Sequence, residues 1–210
     1  EPVFVMGFSV YAWNLKISYA LAREVKKRFP EALIVFGGPA ITKEEDRIDD
    51  FFSEHHYVDV VAVAEGEEIF VDLCNRQHRG QSFSDVAGII YKENVSGEII
   101  YTKPADYVDL SSLPSPFLDG TFDDLYEKYP DDFSGIVWEA ERGCPFQCTF
   151  CTWGLDWNRK VREHPWEKLI EEIEWIGRNR IGYVAMADAN FGIRKRDVEI
   201  ANVFADLKRR

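Results

Sequence analysis

The chain has no apolar run approaching the roughly 18 residues that cross a bilayer, and its start, Glu1-Pro2-Val3-Phe4-Val5, lacks the basic stretch of a signal peptide. A membrane is not expected as a partner. Positive charge is scarce: 25 Lys and Arg against 37 Asp and Glu leave a net charge of −12. That balance argues against nucleic acid as the main partner, because a phosphate backbone needs a positive footprint. Gly and Pro are not enriched, and the 46% hydrophobic and 30% charged fractions are those of a packed globular chain, which excludes disordered and collagen-like readings. Four cysteines in 210 residues are too few for a disulfide scaffold, yet three of them fall within eight residues. That crowding suggests a cofactor site in a reducing compartment, and hence a cytoplasmic protein. The chain has no initiator Met and opens directly into a strand-like run, so further residues are expected upstream.

What is present is an alternation of strands and helices. Residues 3–8 read as a strand, and Asn14 as the cap of a helix to about residue 29, stopped by Pro30. The continuous apolar run 32–36 ends in Gly37-Gly38-Pro39, the pattern of a strand buried on both faces with a tight loop after it. A helix over 43–53, a strand over 59–63, a loop at Glu65-Gly66-Glu67 and a helix to about His78 complete a doubly wound α/β pattern. Residues 86–91 and 98–101 look like a hairpin. The proline-punctuated stretch that follows has no periodicity, which divides the chain into an α/β domain over 1–103, a linker over 104–134 and a second domain over 135–210. In the last, strands over 135–139 and 183–187 flank a helix over 165–179 of helical apolar spacing, and a final helix runs from about Lys195. Two β/α units cannot close a barrel, so the second domain is expected to continue beyond Arg210.

Cys144, Cys148 and Cys151 have the spacing C-x3-C-x2-C on a loop just after a strand. Three soft thiolates can hold three irons of a [4Fe–4S] cluster and leave the fourth open. A structural zinc site would want four protein ligands; Cys74 lies in the other domain, and His164 is the one nearby imidazole. Glu141-Arg142-Gly143-Cys144-Pro145-Phe146-Gln147-Cys148-Thr149-Phe150-Cys151 resembles the cluster loop of radical S-adenosylmethionine (SAM) enzymes, including the aromatic residue before the last cysteine. The resemblance implies that the three cysteines ligate the cluster, that SAM chelates the open iron, and that reductive cleavage yields a 5′-deoxyadenosyl radical. It places Phe150 near the adenine, although core packing is an equal reading for that ring. Arg142 could temper the cluster's charge or pair with Glu139 or Glu141. If the strands at 135–139 and 183–187 are parallel neighbours, the cysteine loop and the segment beginning at Asp188 emerge at one edge; Asp188 would then either contact SAM or substrate or cap the next helix.

The first domain resembles the later part of the cobalamin-binding domain fused to many radical SAM enzymes. Ser9 matches the serine of a Ser-x-Leu-like element, with Tyr11 in place of the leucine, and Gly37 and Gly38 match its glycine pair. With Gly66 and Glu67, they fall after successive strands, where such folds bind ligands. The Asp-x-His-x-x-Gly element that supplies an axial histidine in many relatives is absent from the 210 residues, and His55, His56 and His78 read as surface residues. Trp153, Trp157 and the basic run 158–162 read as loop features beside the cluster.

The fold expected is thus a partial cobalamin-binding Rossmann-like domain followed by the first β/α units of a radical SAM partial TIM-type barrel. The resemblance implies a cobalamin-dependent methyltransferase acting on an unactivated centre of a small molecule, with an electron donor such as flavodoxin or ferredoxin. Ring closure by a cyclase, a methylthiotransferase-like enzyme and an iron–sulfur electron carrier are the alternatives.

Overall fold

The computed structural model describes residues 4–41, 44–93, 96–129, 132, 134–151 and 160–209. They form two compact units, Glu1–Val108 and Asp109–Arg210.

The first unit is a five-stranded sheet in the order β1(Val5–Ser9), β2(Leu33–Gly37), β3(Val60–Ala62), β4(Ile89–Lys92), β5(Ile99–Tyr101). The first three strands are parallel and the last two form the antiparallel hairpin that ends it. The unbroken apolar run of β2 is explained by its central place: Ile34 and Phe36 pack with Ala22 of α1(Leu15–Arg28) and Ile48 and Phe52 of α2(Glu45–Glu54). Leu33 and Val35 point the other way, toward Ile69 and Leu73 of α3(Gly66–Arg79). Helices therefore cover both faces, as a doubly wound sheet requires.

Three local expectations change. Asn14 does not cap α1 with its side chain; its Oδ1 accepts from the Tyr11 N–H at 2.8 Å and its Nδ2 donates to the Ser9 carbonyl at 2.9 Å, which locks the loop before the helix. The third strand is shorter than expected, Val60–Ala62; just before it Asp59 still bonds the Ile34 carbonyl through its N–H at 3.0 Å, and its carboxylate accepts from the Ile34 N–H (2.7 Å) and from Lys26 (2.8 and 2.9 Å). His55 is half-buried rather than a surface residue: it stacks on Tyr19 with centroids 4.0 Å apart and bonds the Tyr57 hydroxyl at 2.9 Å. Burial lowers its pKa.

In the second unit β6(Gly135–Trp138) and β9(Tyr183–Met186) pair in parallel, Gly135 opposite Tyr183, and α5(Trp166–Arg178) is the crossover between them. Trp138, Leu169, Ile173 and Ile200 form its core with α6(Lys195–Arg209). The stretch expected as a linker is structured in both units. Val108 is buried in the first, its N–H bonded to the Glu65 carboxylate at 3.0 Å. Phe117 and Phe122, which precede the short helix α4(Asp123–Lys128), join the core of the second. No helix among the described residues is long and apolar enough to cross a membrane.

Candidate functional site

The carboxyl end of β6 leads straight into the cysteine loop. The loop leaves through the two residues of β7(Glu141–Arg142) and returns through β8(Arg162–Glu163); these pair antiparallel, Glu141 opposite Glu163 and Arg142 opposite Arg162. The pairing closes a neck, and Gly143 makes the exit from it possible. Its φ is +105°, and a Cβ there would run into the Lys160 carbonyl group and lie 3.1 Å from the Val161 Cα. Cys144 is buried, Cys151 half-buried and Cys148 exposed, and all three thiols are free. The Cys151 N–H donates to the Cys148 carbonyl at 3.1 Å. Among the described residues no three His, Cys, Asp or Glu side chains converge as a metal site. The donor set nonetheless suits a thiophilic cluster: three unpaired soft ligands lie on one loop with both limbs fixed.

Phe150 is 90% exposed, so the core-packing reading of its ring is excluded within this unit. Trp153, Trp157, Asn158 and Arg159 lie outside the described residues.

Asp188 and the cysteine loop meet as the parallel topology demands. Asp188 Oδ1 accepts from the N–H groups of Ala140 (2.8 Å), between β6 and β7, and Glu141 (3.1 Å), the first residue of β7. Asp188 does not cap α6; Asp197 does that work on the preceding turn, accepting from the Gly192 and Arg194 N–H groups at 2.8 and 2.9 Å. Asp188 Oδ2, Glu141 Oε1 and Asn190 Nδ2 are buried with no hydrogen-bond partner among the described residues. Burial pushes the Asp188 carboxyl up against the pull of its two backbone bonds. Burial, assisted by the charge of Asp197, does the same to Glu141.

Around the neck lies a network of charges that sequence reasoning reached only at Arg142. Of the two acids open to it, Arg142 takes Glu139, its Nε 3.0 and 2.9 Å from the two carboxylate oxygens. His164 Nε2 is 3.2 Å from the same carboxylate. Burial raises the Glu139 pKa, but the His164 hydrogen bond and the Arg142 charge outweigh it and hold the carboxyl below its usual range. From α6 and the residue before it, Arg194 and Arg196 reach Glu163 at 2.7 and 3.0 Å, Arg194 also reaches Glu141 at 3.5 Å, and Arg196 donates to the His164 carbonyl. The one available signal was the alternation of acids and bases on both sides of the loop.

In the first unit the candidate residues sit at the carboxyl edge of the parallel strands. Ser9 is exposed and in register with Gly37. Gly38, with φ +100°, lies against the Val10 backbone, where a Cβ would come within 2.6 Å of the carbonyl oxygen, whereas at Gly37 it would meet Ala62 at an ordinary 3.6 Å. Gly66 and Glu67 are exposed in the first turn of α3. Tyr11 and Trp13 stack beside Ser9 with centroids 4.7 Å apart, and Trp13 is 82% exposed. Cys74 lies on α3, where burial pushes its thiol up.

No family model matches the chain. It is 35% identical over 97% of its length to the cobalamin-dependent radical SAM methyltransferase TokK of Streptomyces tokunonensis. It is 36% identical, again over 97%, to the 2-(S-pantetheinyl)-carbapenam-3-carboxylate methyltransferase of Streptantibioticus cattleyicolor. The chain spans about 30% of the length of each. The solved structure of the cobalamin-dependent S-adenosylmethionine radical enzyme OxsB, with aqua-cobalamin and S-adenosylmethionine bound, superimposes with a TM-score of 0.70 at 20% identity, over 97% of this chain and 28% of that one.

Proposed function

We propose that the chain forms part of a cobalamin-dependent radical SAM methyltransferase acting on an unactivated centre of a small molecule, a reading supported by its similarity, over nearly all its own length, to enzymes of that description. The observation that carries the reading is the loop with three free thiols, fixed at its neck to the carboxyl edge of a parallel β/α unit. Cys144, Cys148 and Cys151 are the residues that would hold a [4Fe–4S] cluster, and their spacing leaves one iron for SAM. Cluster and SAM together supply, when bound, the radical chemistry that no side chain can perform.

The chain's own residues bind, orient and shield. Gly143 lets the loop turn out of its neck, and Asp188 Oδ1 holds the start of that neck to β9. Its other oxygen, buried and unpaired, offers an acceptor to a cationic group such as the α-ammonium of SAM. Phe150 presents an exposed ring for the adenine. Ser9, Gly37, Gly38, Gly66 and Glu67 line the edge where cobalamin would lie, Gly38 keeping the backbone bare of side chain. The electron for reductive cleavage would come from a donor such as flavodoxin or ferredoxin.

The test is anaerobic, on the complete protein with cluster and hydroxocobalamin supplied. Reduction with SAM should yield S-adenosylhomocysteine and 5′-deoxyadenosine and, with an acceptor substrate added, a methylated product. An intact cluster that cleaves no SAM would overturn the reading, and a ring-closed product would reassign it to cyclase chemistry. Cys148→Ala should abolish the cluster's visible absorption; retained iron would remove Cys148 from the ligand set.

A further inference from the structure

Glu139 occupies an unusual place in the neck of the cysteine loop. It stands between the end of β6 and the start of β7, and its carboxylate engages both limbs: Arg142 on the outgoing side, at 3.0 and 2.9 Å, and His164 on the returning side, at 3.2 Å. Among the described residues the limbs are also joined by one short ladder, by the bond from the His164 N–H to the Ala140 carbonyl at 3.0 Å, and by Arg194, which reaches Glu141 at 3.5 Å and Glu163 at 2.7 Å. Arg142 and His164 side chains are 19% and 7% exposed, so water satisfies little of what Glu139 satisfies. His164 is held from behind as well: Lys168 Nζ lies 3.4 Å from its Nδ1 and also donates to the Leu113 carbonyl at 3.0 Å, and Arg196 grips its carbonyl. Arg142 is two residues from Cys144, and the loop between the limbs contains every thiol of the constellation.

We propose that Glu139 is a positioning residue for the cluster: its carboxylate ties the outgoing and returning limbs of the cysteine loop together and holds Arg142 in place, so that the loop can bring its three thiolates to one cluster. This rests on the assignment of Cys144, Cys148 and Cys151 as cluster ligands. The physical basis is that a carboxylate shared by a guanidinium and an imidazole makes charge-assisted bonds, which are shorter and stronger than neutral ones. Removing the acid takes a charged partner from a largely buried guanidinium and from a buried imidazole on the other limb, and that cost is met by movement of the limbs that carry them. Partners bonded directly to a metal ligand are worth roughly 10–100-fold in metal affinity; Glu139 acts one step further out, on the limbs that carry the ligands.

The experiment compares wild type, Glu139→Gln and Glu139→Asp in the complete protein. Wild type must first take up a full cluster; if it does not, the ligand assignment fails and Glu139 is not at issue. Given that, Glu139→Gln should lose iron to a chelator about tenfold faster than wild type, at the low end of the outer-partner range. The electron paramagnetic resonance signal of its reduced cluster should broaden, and its response to added SAM should weaken. Glu139→Asp, which keeps the charge, should restore most of both. Equal thermal midpoints by circular dichroism would separate positioning from general unfolding. Should Glu139→Gln fail to fold, His164→Gln, which disturbs the returning limb alone, serves in its place. Wild-type iron retention together with an unchanged resonance signal in the substituted, folded protein would overturn the proposal.

Discussion

The carboxyl edges of the two parallel β/α units are built by different means. In the first unit the edge is held largely by backbone: Gly38 folds onto Val10, the Val10 N–H donates to the Gly37 carbonyl at 2.8 Å, and the Ala40 N–H donates to the Val10 carbonyl at 3.1 Å. In the second it is made of charge, with Glu139, Arg142, Glu163, His164, Arg194 and Arg196 holding the neck of one loop. Loop length accounts for the contrast. The loops at the first edge are shorter, residues 10–14 after β1 and 38–44 after β2, and local φ and ψ, with glycine where φ is positive, do much to shape them. The excursion from Gly143 to Val161 is far too long for that, and its closure entropy must be offset by ties between residues distant in sequence.

The contrast breaks first at the glycines, where both edges depend on the backbone. Gly143→Ala should destabilise the second unit by about 3 kcal/mol or more, since positive φ strain is added to a backbone collision, and cluster uptake should fall with it. Gly38→Ala should cost the first unit a similar amount, while Gly37→Ala, whose added methyl finds ordinary contact, should change the urea midpoint little. If all three were equivalent, the role given to positive φ would be wrong.

Asp188 sharpens the comparison next. Asp188→Ala strips the acceptor from two backbone N–H groups at the neck and should cost about 1–3 kcal/mol. Asp188→Asn keeps an acceptor oxygen and removes a poorly solvated charge, so it should cost much less, with denaturant unfolding of the cluster-free protein as the measure. The counterpart in the first unit is Asn14→Ala, which frees the Tyr11 N–H and Ser9 carbonyl near the surface. Its cost should be about 0.5–1 kcal/mol, accompanied by a shift in Trp13 fluorescence as the Tyr11 stack loosens.

Acidification should separate the units most gently. His55 has a lowered pKa, so its contribution to the first unit is present above the ordinary histidine value of 6.5 and is lost as pH falls through the lowered one. Asp188 and Glu141 have raised values, so their contribution to the second unit is present below the ordinary carboxyl range and is lost as pH rises through the raised ones. Glu139, held low, opposes them only once pH falls below the ordinary glutamate value. From pH 7 to 5, hydrogen exchange corrected for its intrinsic rate should therefore accelerate in the first unit and hold steady or slow in the second.

Much of the fold is legible in the residues. The apolar run of β2, the glycine pair after it and the apolar spacing of α5 each state a local preference that the tertiary structure keeps. The order of strand, cysteine loop, helix and strand predicts that residue 188 meets the loop, and Asp188 does so at its first two backbone donors. What stays hidden is which polar atoms meet. Asn14 carries the composition of a cap and acts as a loop lock, and His55 carries the polar neighbours of a surface residue and stacks on Tyr19. In each case the partner comes from a separate local geometry or another element, and composition alone does not rank the choices.

The sequence by itself determined the chemistry on offer: three thiols at C-x3-C-x2-C spacing, glycines where the backbone turns positive, and strands whose apolar pattern demands cover on both faces. These follow from properties each residue carries wherever it stands. Only the tertiary structure decided that Arg142 takes Glu139 rather than Glu141, that Asp188 serves the neck of a loop 47 and 48 residues away, and that Phe150 faces solvent. Charge pairing and burial are relations between places, and places exist only once the chain has folded.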